Sequence, residues 1–157
     1  MKIRKAIKKD IPAISGLIKE MANYHNKIDK FYKVSLSGET IKSYIKEFLE
    51  DKNRIIIVAE ENKKLIGYIF GSIKIYPVYI SEKKSGYLDE AFVSVDYRKK
   101  GIGKKLFFEF IKWLKSKKIK DVTSSVDKRN KTSLKIWEKL GFHTHKFTNK
   151  VEIGLNF

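Results

Sequence analysis

Six of the seven residues from position 98 to 104 combine positive charge with backbone freedom: Arg98, Lys99, Lys100, Gly101, Gly103 and Lys104. A largely apolar run, Ala91 to Val95, precedes them. Ile102, Leu106, Phe107, Phe110, Ile111 and Leu114 follow at helical spacing. A buried strand therefore feeds a glycine-bearing turn that opens a helix. Glycine lets the backbone come close to a ligand. The free N–H groups of a helix start, with the dipole behind them, attract an anion. The expected ligand is a phosphate or pyrophosphate.

Two common phosphate loops do not fit. Leu106 stands where a dinucleotide fingerprint needs its third glycine. Arg98 stands at the first glycine of a P-loop and Lys105 at its Ser/Thr. What remains is Arg-x-x-Gly-x-Gly after a strand. A second pattern lies downstream, where a short strand to Val126 is followed by Asn130, Ser133, Trp137 and then Gly141-Phe142. Together the two segments resemble the acyl-CoA-binding and following motifs of the GCN5-related N-acetyltransferase (GNAT) superfamily. Asn130, Gly141 and Phe142 match the pattern. Ser133 replaces an alanine and Trp137 replaces a tyrosine. The opening strand Ile3 to Ala6 and a helix starting at Asp10-Ile11-Pro12 also fit, so the resemblance covers nearly the whole chain.

The resemblance implies acetyl-CoA as cosubstrate and no metal. Its pyrophosphate would lie on Arg98, Lys99, Lys100, Gly101, Ile102, Gly103 and Lys104. Its pantetheine arm would pair with strand backbone at Phe92, Val93 and Val95, with Asn130, Ser133 and Trp137 nearby. An N–H near Val93 would polarise the thioester carbonyl. An amine protonated at neutral pH must lose a proton before it attacks. In several such enzymes the base precedes the valine matched by Val93 by four or six positions. That count makes Asp89 the first candidate and Glu90 the second, the latter if a bulge intervenes. Simple alternation puts Tyr87, Asp89, Ala91 and Val93 on one face, and Leu88, Glu90 and Phe92 on the other. Tyr24, His25, Asp29, Phe31 and Tyr32 fall where this fold often walls the acceptor pocket. Trp137 cannot serve as the usual tyrosine acid, but a thiol of pKa about 8.5 leaves tolerably without help. The expected acceptor is a primary amine on a small molecule or a protein. A homodimer is the expected kind of assembly in such families.

Composition bounds these readings. The chain has 157 residues, enough for one domain over 1–157 with its own core. It has no cysteine, which removes disulfides, thiolate metal sites and a cysteine nucleophile. No apolar run approaches membrane-spanning length, and no secretory h-region follows Met1, so a cytoplasmic enzyme is expected. The formal net charge is +17, with 35 Lys and Arg against 18 Asp and Glu. Ten of the cations fall between Arg98 and Lys120, where Glu109 is the lone acid. A CoA pyrophosphate and 3′-phosphate would draw on that excess. Nucleic acid is not expected as the partner, because most aromatics fall at core-periodic positions rather than among exposed lysines. The rival from another class is a CoA-binding or sensing module with impaired catalysis, suggested by Trp137.

These residues need elements to hold them. Ile11, Ile14, Leu17, Ile18 and Met21 form one helical face, with Asp10 as N-cap and Pro12 in the first turn. Ser37 caps a second helix over 40–49. Strands follow over 54–60 and 65–76, then a loop over 77–85 and a strand over 87–95. A helix over 101–117, a strand over 121–126, a helix over 132–140 and a hairpin of 143–148 with 151–156 complete the chain. The order β-α-α-β-β-β-α-β-α-β-β is a mixed α/β pattern, with a central antiparallel meander and a parallel crossover. It resembles the GNAT fold directly.

Overall fold

The computed structural model describes residues 1–26, 37–77, 79 and 84–144. They fall in two compact units, Met1–Ser125 and Val126–Phe157. In chain order the elements are β1 (Lys2–Lys5), α1 (Ile11–Asn26), α2 (Gly38–Glu50), β2 (Arg54–Glu61), β3 (Lys64–Ile75), β4 (Lys84–Val93), α3 (Ile102–Ser116), β5 (Val122–Ser124) and α4 (Lys131–Lys139). The mixed α/β order expected from sequence is reproduced up to α4. The closing hairpin lies outside the described residues, apart from His143 and Thr144.

The first unit is a five-stranded sheet in the order β1-β2-β3-β4-β5, antiparallel except for the parallel pair β4 and β5. Residues Ile55 to Ala59 of β2 are all buried, as a strand covered on both faces requires. One face carries α1 and α2. Ile14, Leu17 and Met21 of α1 and Ile41, Ile45 and Phe48 of α2 pack with Ile56, Val58, Tyr68, Phe70 and Phe92. The other face carries α3. A Cβ on Gly71 would lie 2.1 Å from Phe110 Cε2, and one on Gly86 would lie 2.6 Å from Leu114 Cδ1. Both glycines thus let α3 sit close to the sheet. Gly71→Ala is expected to destabilise the fold by about 1–3 kcal/mol through overpacking, read from urea unfolding midpoints.

Two expectations about the first unit need correction. Asp10 is not the N-cap of α1. It ends a 3-10 turn, Lys8–Asp10, and its carboxylate reaches back to the Ile7 N–H at 2.8 Å. It also takes a bidentate pair from Arg4, at 2.6 and 2.9 Å, and Arg4 in turn holds Glu60. The Arg4 hydrogen bond holds the Asp10 carboxyl below its ordinary range. The second correction concerns β4, which begins at Lys84 and ends at Val93 rather than running from 87 to 95. Lys84 and Ser85 still pair with Ile75 and Lys74, so the hairpin continues where a loop was expected. Past Ser94, the Tyr97 N–H turns back to Ser94 O and the Arg98 N–H to Val95 O. That closes a 3-10 turn over Val95–Tyr97.

In the second unit, both ends of α4 are capped by the residues that carried the downstream motif. Asn130 Oδ1 accepts the Ser133 N–H at 3.0 Å, an N-cap bond. Gly141 has φ of +92°, its N–H bonds to Glu138 O, and the Phe142 N–H bonds to Trp137 O. This is a Schellman cap, with Trp137 and Phe142 in its apolar contact at 5.3 Å between ring centroids.

Candidate active site

Among the described residues, the strand expected to hold a cofactor has an open edge. β5 pairs with β4 only at Gly86, Tyr87 and Leu88, and Ser124 Oγ donates to Leu88 O at 3.1 Å. Beyond Leu88, β4 runs on to Val93 paired, among the described residues, only to β3. The Ser94 N–H donates to Ile66 O at 2.9 Å, which makes Ser94 and Ile66 a hydrogen-bonded pair. Antiparallel alternation then turns the Phe92 and Glu90 main-chain groups toward β3, and those of Val93 and Ala91 toward the open edge. Arg98 Nε donates to Val93 O at 3.0 Å. The Val93 N–H is left facing outward. Of the three residues expected to offer backbone, Val93 does so. Phe92 pairs inward with its ring in the core, and Val95 has left the strand, with its N–H at 3.3 Å from Glu20 Oε1. Ala91 takes the second outward position, legible only from the register.

The glycine turn lies at the end of this edge. Gly101 has φ of +73°, a left-handed conformation that favours glycine, and it starts α3 without a side-chain cap. The first helical bond runs from the Lys105 N–H to Gly101 O. The N–H groups of Ile102, Gly103 and Lys104 therefore have no acceptor within the helix. A Cβ on Gly101 would meet nothing within 4 Å, and one on Gly103 would meet only Val93 Cγ2 at 4.0 Å. Open space thus lies over the free N–H groups. The Ile102 side chain is buried, so only its backbone is presented. Lys99 and Lys100 are exposed beside the turn. The Lys104 ammonium lies 5.7 Å from the Phe108 ring.

Arg98 is placed differently from the other cations. Besides its bond to Val93 O, its guanidinium lies 4.2 Å from the Tyr24 ring and 5.4 Å from Phe92. It braces the end of β4 against α1, and Glu20 of α1 adds bonds to Ser94 Oγ at 2.8 and 3.0 Å. Tyr24, expected in the acceptor wall, is the platform under that brace, and His25 meets it edge-on at 5.6 Å. Arg98→Ala is expected to weaken acetyl-CoA and acetyl-pantetheine binding to the same degree, and to cost about 1–3 kcal/mol of stability. A phosphate ligand would affect only the former, so calorimetry with both compounds decides. Asp29, Phe31 and Tyr32 lie outside the described residues.

The two carboxylates meet through a bulge. Phe70 pairs with Glu90 and Gly71 with Leu88, which leaves Asp89 unopposed. Leu88 pairs with Gly71 on the α3 face. Beyond the bulge, Phe92 belongs to the core cluster on the α1 and α2 face, and Glu90 shares that face with it. The expected strict alternation is therefore broken at Asp89. Asp89 is exposed and Glu90 half-buried. Tyr68 donates its hydroxyl to Glu90 Oε1. Burial raises the Glu90 carboxyl above its ordinary range, the Tyr68 bond opposes that rise, and the Asp89 charge adds to it. Although the residue as a whole is exposed, partial enclosure of its carboxyl also raises Asp89, against a bond from Ser72 and the charges of Lys74 and Arg54. Tyr44 of α2 is pushed up to about 12 by burial, then by the charges of Glu90 and Asp89. Tyr44 also borders an open groove of about 590 Å³ with Glu39, Thr40, Ser43 and Glu47. Neither tyrosine was marked by a sequence pattern, since each sits at a core-periodic position.

An open strand edge, a glycine turn at a helix start and a carboxylate pair on the adjoining bulge thus come together along β4. The chain belongs to the acetyltransferase (GNAT) family, whose profile matches residues 21–142. The Bacillus subtilis protein YhfO, described as an uncharacterized N-acetyltransferase, is 26% identical over 144 residues, covering 90% of this chain and 89% of its own. Among solved structures, a mutant of the BH1408 protein from Bacillus halodurans superposes with a TM-score of 0.85 at 20% identity, covering 98% of this chain and 99% of that one. The aminoglycoside N-acetyltransferase AAC(6′)-Iy in complex with CoA gives 0.79 at 19% identity, over 98% and 94% of the two chains. Those structures share the fold. No helix among the described residues is long and apolar enough to cross a membrane.

Proposed function

We propose that the chain, acting as one domain over 1–157, transfers the acetyl group of acetyl-CoA to a primary amine by direct attack in a ternary complex. The observation that carries this reading is the open edge of β4, which ends at the free N–H groups of the glycine turn and borders the carboxylate bulge. The CoA complex of AAC(6′)-Iy, a structure of the same fold, supports the choice of cosubstrate.

Acetyl-CoA supplies an acetyl group activated as a thioester, which the amine nitrogen attacks while the C–S bond breaks and thiolate leaves. In this reading the N–H groups of Ile102, Gly103 and Lys104 hold the pyrophosphate, with Lys99, Lys100 and Lys104 adding charge. The outward groups of Ala91 and Val93 line the pantetheine arm. The Val93 N–H faces the thioester oxygen, where negative charge develops. Glu90 takes the proton of the attacking ammonium. It is preferred to Asp89 because it is more enclosed, and because burial raises its carboxyl, which makes it the stronger base. Asp89 stays at the mouth and draws the cationic acceptor in along the groove bordered by Tyr44. Asn130, Ser133 and Trp137 retain their cofactor roles only through the family resemblance.

The test is free-thiol release from acetyl-CoA with sisomicin, spermidine, glycinamide and a lysine peptide, alongside calorimetry of CoA. Amine-dependent release with at least one acceptor is the expected result. CoA binding with no release from any amine would favour the binding module instead. Absence of CoA binding would overturn both readings.

A further inference from the structure

Tyr68 carries a polar group where packing asks for none. Its side chain is fully buried in the cluster between the sheet and α1 and α2. Its ring meets Phe70 edge-on at 5.2 Å and Phe92 at 6.0 Å. Phenylalanine would fill the same space. A buried hydroxyl costs free energy unless it is bonded, and this one is bonded to Glu90 Oε1. The bulge at Asp89 is what turns Glu90 onto this face, beside a side chain of the neighbouring strand. Among the described residues, Glu90 Oε2 has no hydrogen-bond partner.

We infer that Tyr68 is a positioning residue for Glu90: its phenol fixes Oε1 and leaves Oε2 to receive the proton of the attacking amine. The inference rests on the reading of Glu90 as the proton acceptor. The groups around that carboxylate are Tyr68 from β3, Asp89 from β4 and Tyr44 from α2. Glu20 of α1 acts on the Tyr68 phenol, and Arg54 and Lys74 act on Asp89. Burial and the Asp89 charge favour the protonated form of Glu90, and the Tyr68 bond favours the ionised form. Burial and the Glu90 charge hold the phenol well above its ordinary range, so it remains a donor at every working pH. Tyr68 thus keeps an enclosed carboxylate ionised often enough to act as a base, and aimed while it does so.

The experiment is an NMR titration of the full chain labelled with carboxyl-¹³C glutamate, with the Glu90 signal assigned by its loss in Glu90→Gln. Tyr68→Phe is expected to move the Glu90 midpoint up by about one to two pH units, since a bond to a charged group is lost. Placing 3-fluorotyrosine at position 68 keeps the shape and strengthens the donor, and is expected to move the midpoint down. The acid limb of kcat/KM for acetyl-CoA, measured with the most reactive of the four amines above, should follow in both variants. A midpoint unmoved in either variant overturns the role of Tyr68, and leaves Glu90 as base intact if the limb still vanishes in Glu90→Gln. Midpoints that move while the limb stays fixed overturn Glu90 as proton acceptor, and this inference with it.

Discussion

Glu90→Gln should lower kcat by about 10²- to 10⁴-fold, the range of a positioned general base, with acetyl-CoA affinity little changed. The wild-type rate should rise with pH through the raised Glu90 pKa, and this acid limb should be missing in the variant. Stability should move the other way. A carboxyl whose folded pKa is raised contributes stability that is fully present below its unfolded value and is lost as pH rises through the folded one. Above the raised Glu90 pKa the wild type therefore carries an ionised group that burial disfavours. The neutral amide removes that penalty, and its oxygen still accepts from Tyr68. A higher melting temperature at pH 7, together with the loss of rate, would mark a charge retained for chemistry at the expense of the fold. If Asp89→Asn loses the rate and Glu90→Gln does not, the base is Asp89, and the bulge serves only to bend the strand.

Gly103→Val should cut acetyl-CoA affinity by about 10²-fold while leaving the fold intact. Gly103 lies in the first turn of α3 with helical backbone, so a side chain is tolerated sterically by the protein. The branched side chain would fill the space over the free N–H groups of the turn. Losing one or two bonds to a charged ligand, at about 1.5–3 kcal/mol each, gives an effect of that size. Gly101 offers a contrast. Its positive φ makes any side chain strained, so Gly101→Ala should lower affinity and also stability, the latter by about 1–3 kcal/mol. Calorimetry and thermal unfolding of the two variants separate obstruction from strain. Unchanged CoA affinity in Gly103→Val would remove the pyrophosphate from this turn.

The glycine turn and the helix behind it were legible in the sequence because their signals are local. Gly101 and Gly103 leave backbone bare where a helix starts, and the apolar spacing from Ile102 to Leu114 fixes the buried face of α3. The downstream motif was legible for a similar reason. Asn130, Gly141 and Phe142 stop and start α4 through bonds that span no more than five residues. Asp10 misled because its nearest backbone donors favour a cap, whereas Arg4 of β1, itself held by Glu60 of β2, claims its carboxylate.

The placement of the two candidate carboxylates was decided elsewhere. Asp89 and Glu90 were marked as candidates by their distance from Val93, but which face each takes depends on a bulge. That bulge exists because Phe70 and Gly71 of β3 pair with Glu90 and Leu88, a register set across two strands. The outward turn of the Ala91 and Val93 groups, the brace of Arg98 on Val93 O and Tyr24, and the bond from Tyr68 to Glu90 all depend on the same pairing or on α1 packed against it. Sequence alone determined where an anion can be bound, because helix-start N–H groups and glycines act within one turn of chain. Only the tertiary structure decided which carboxylate is enclosed, because burial, neighbouring charge and a donor from another strand together set a carboxylate's affinity for a proton.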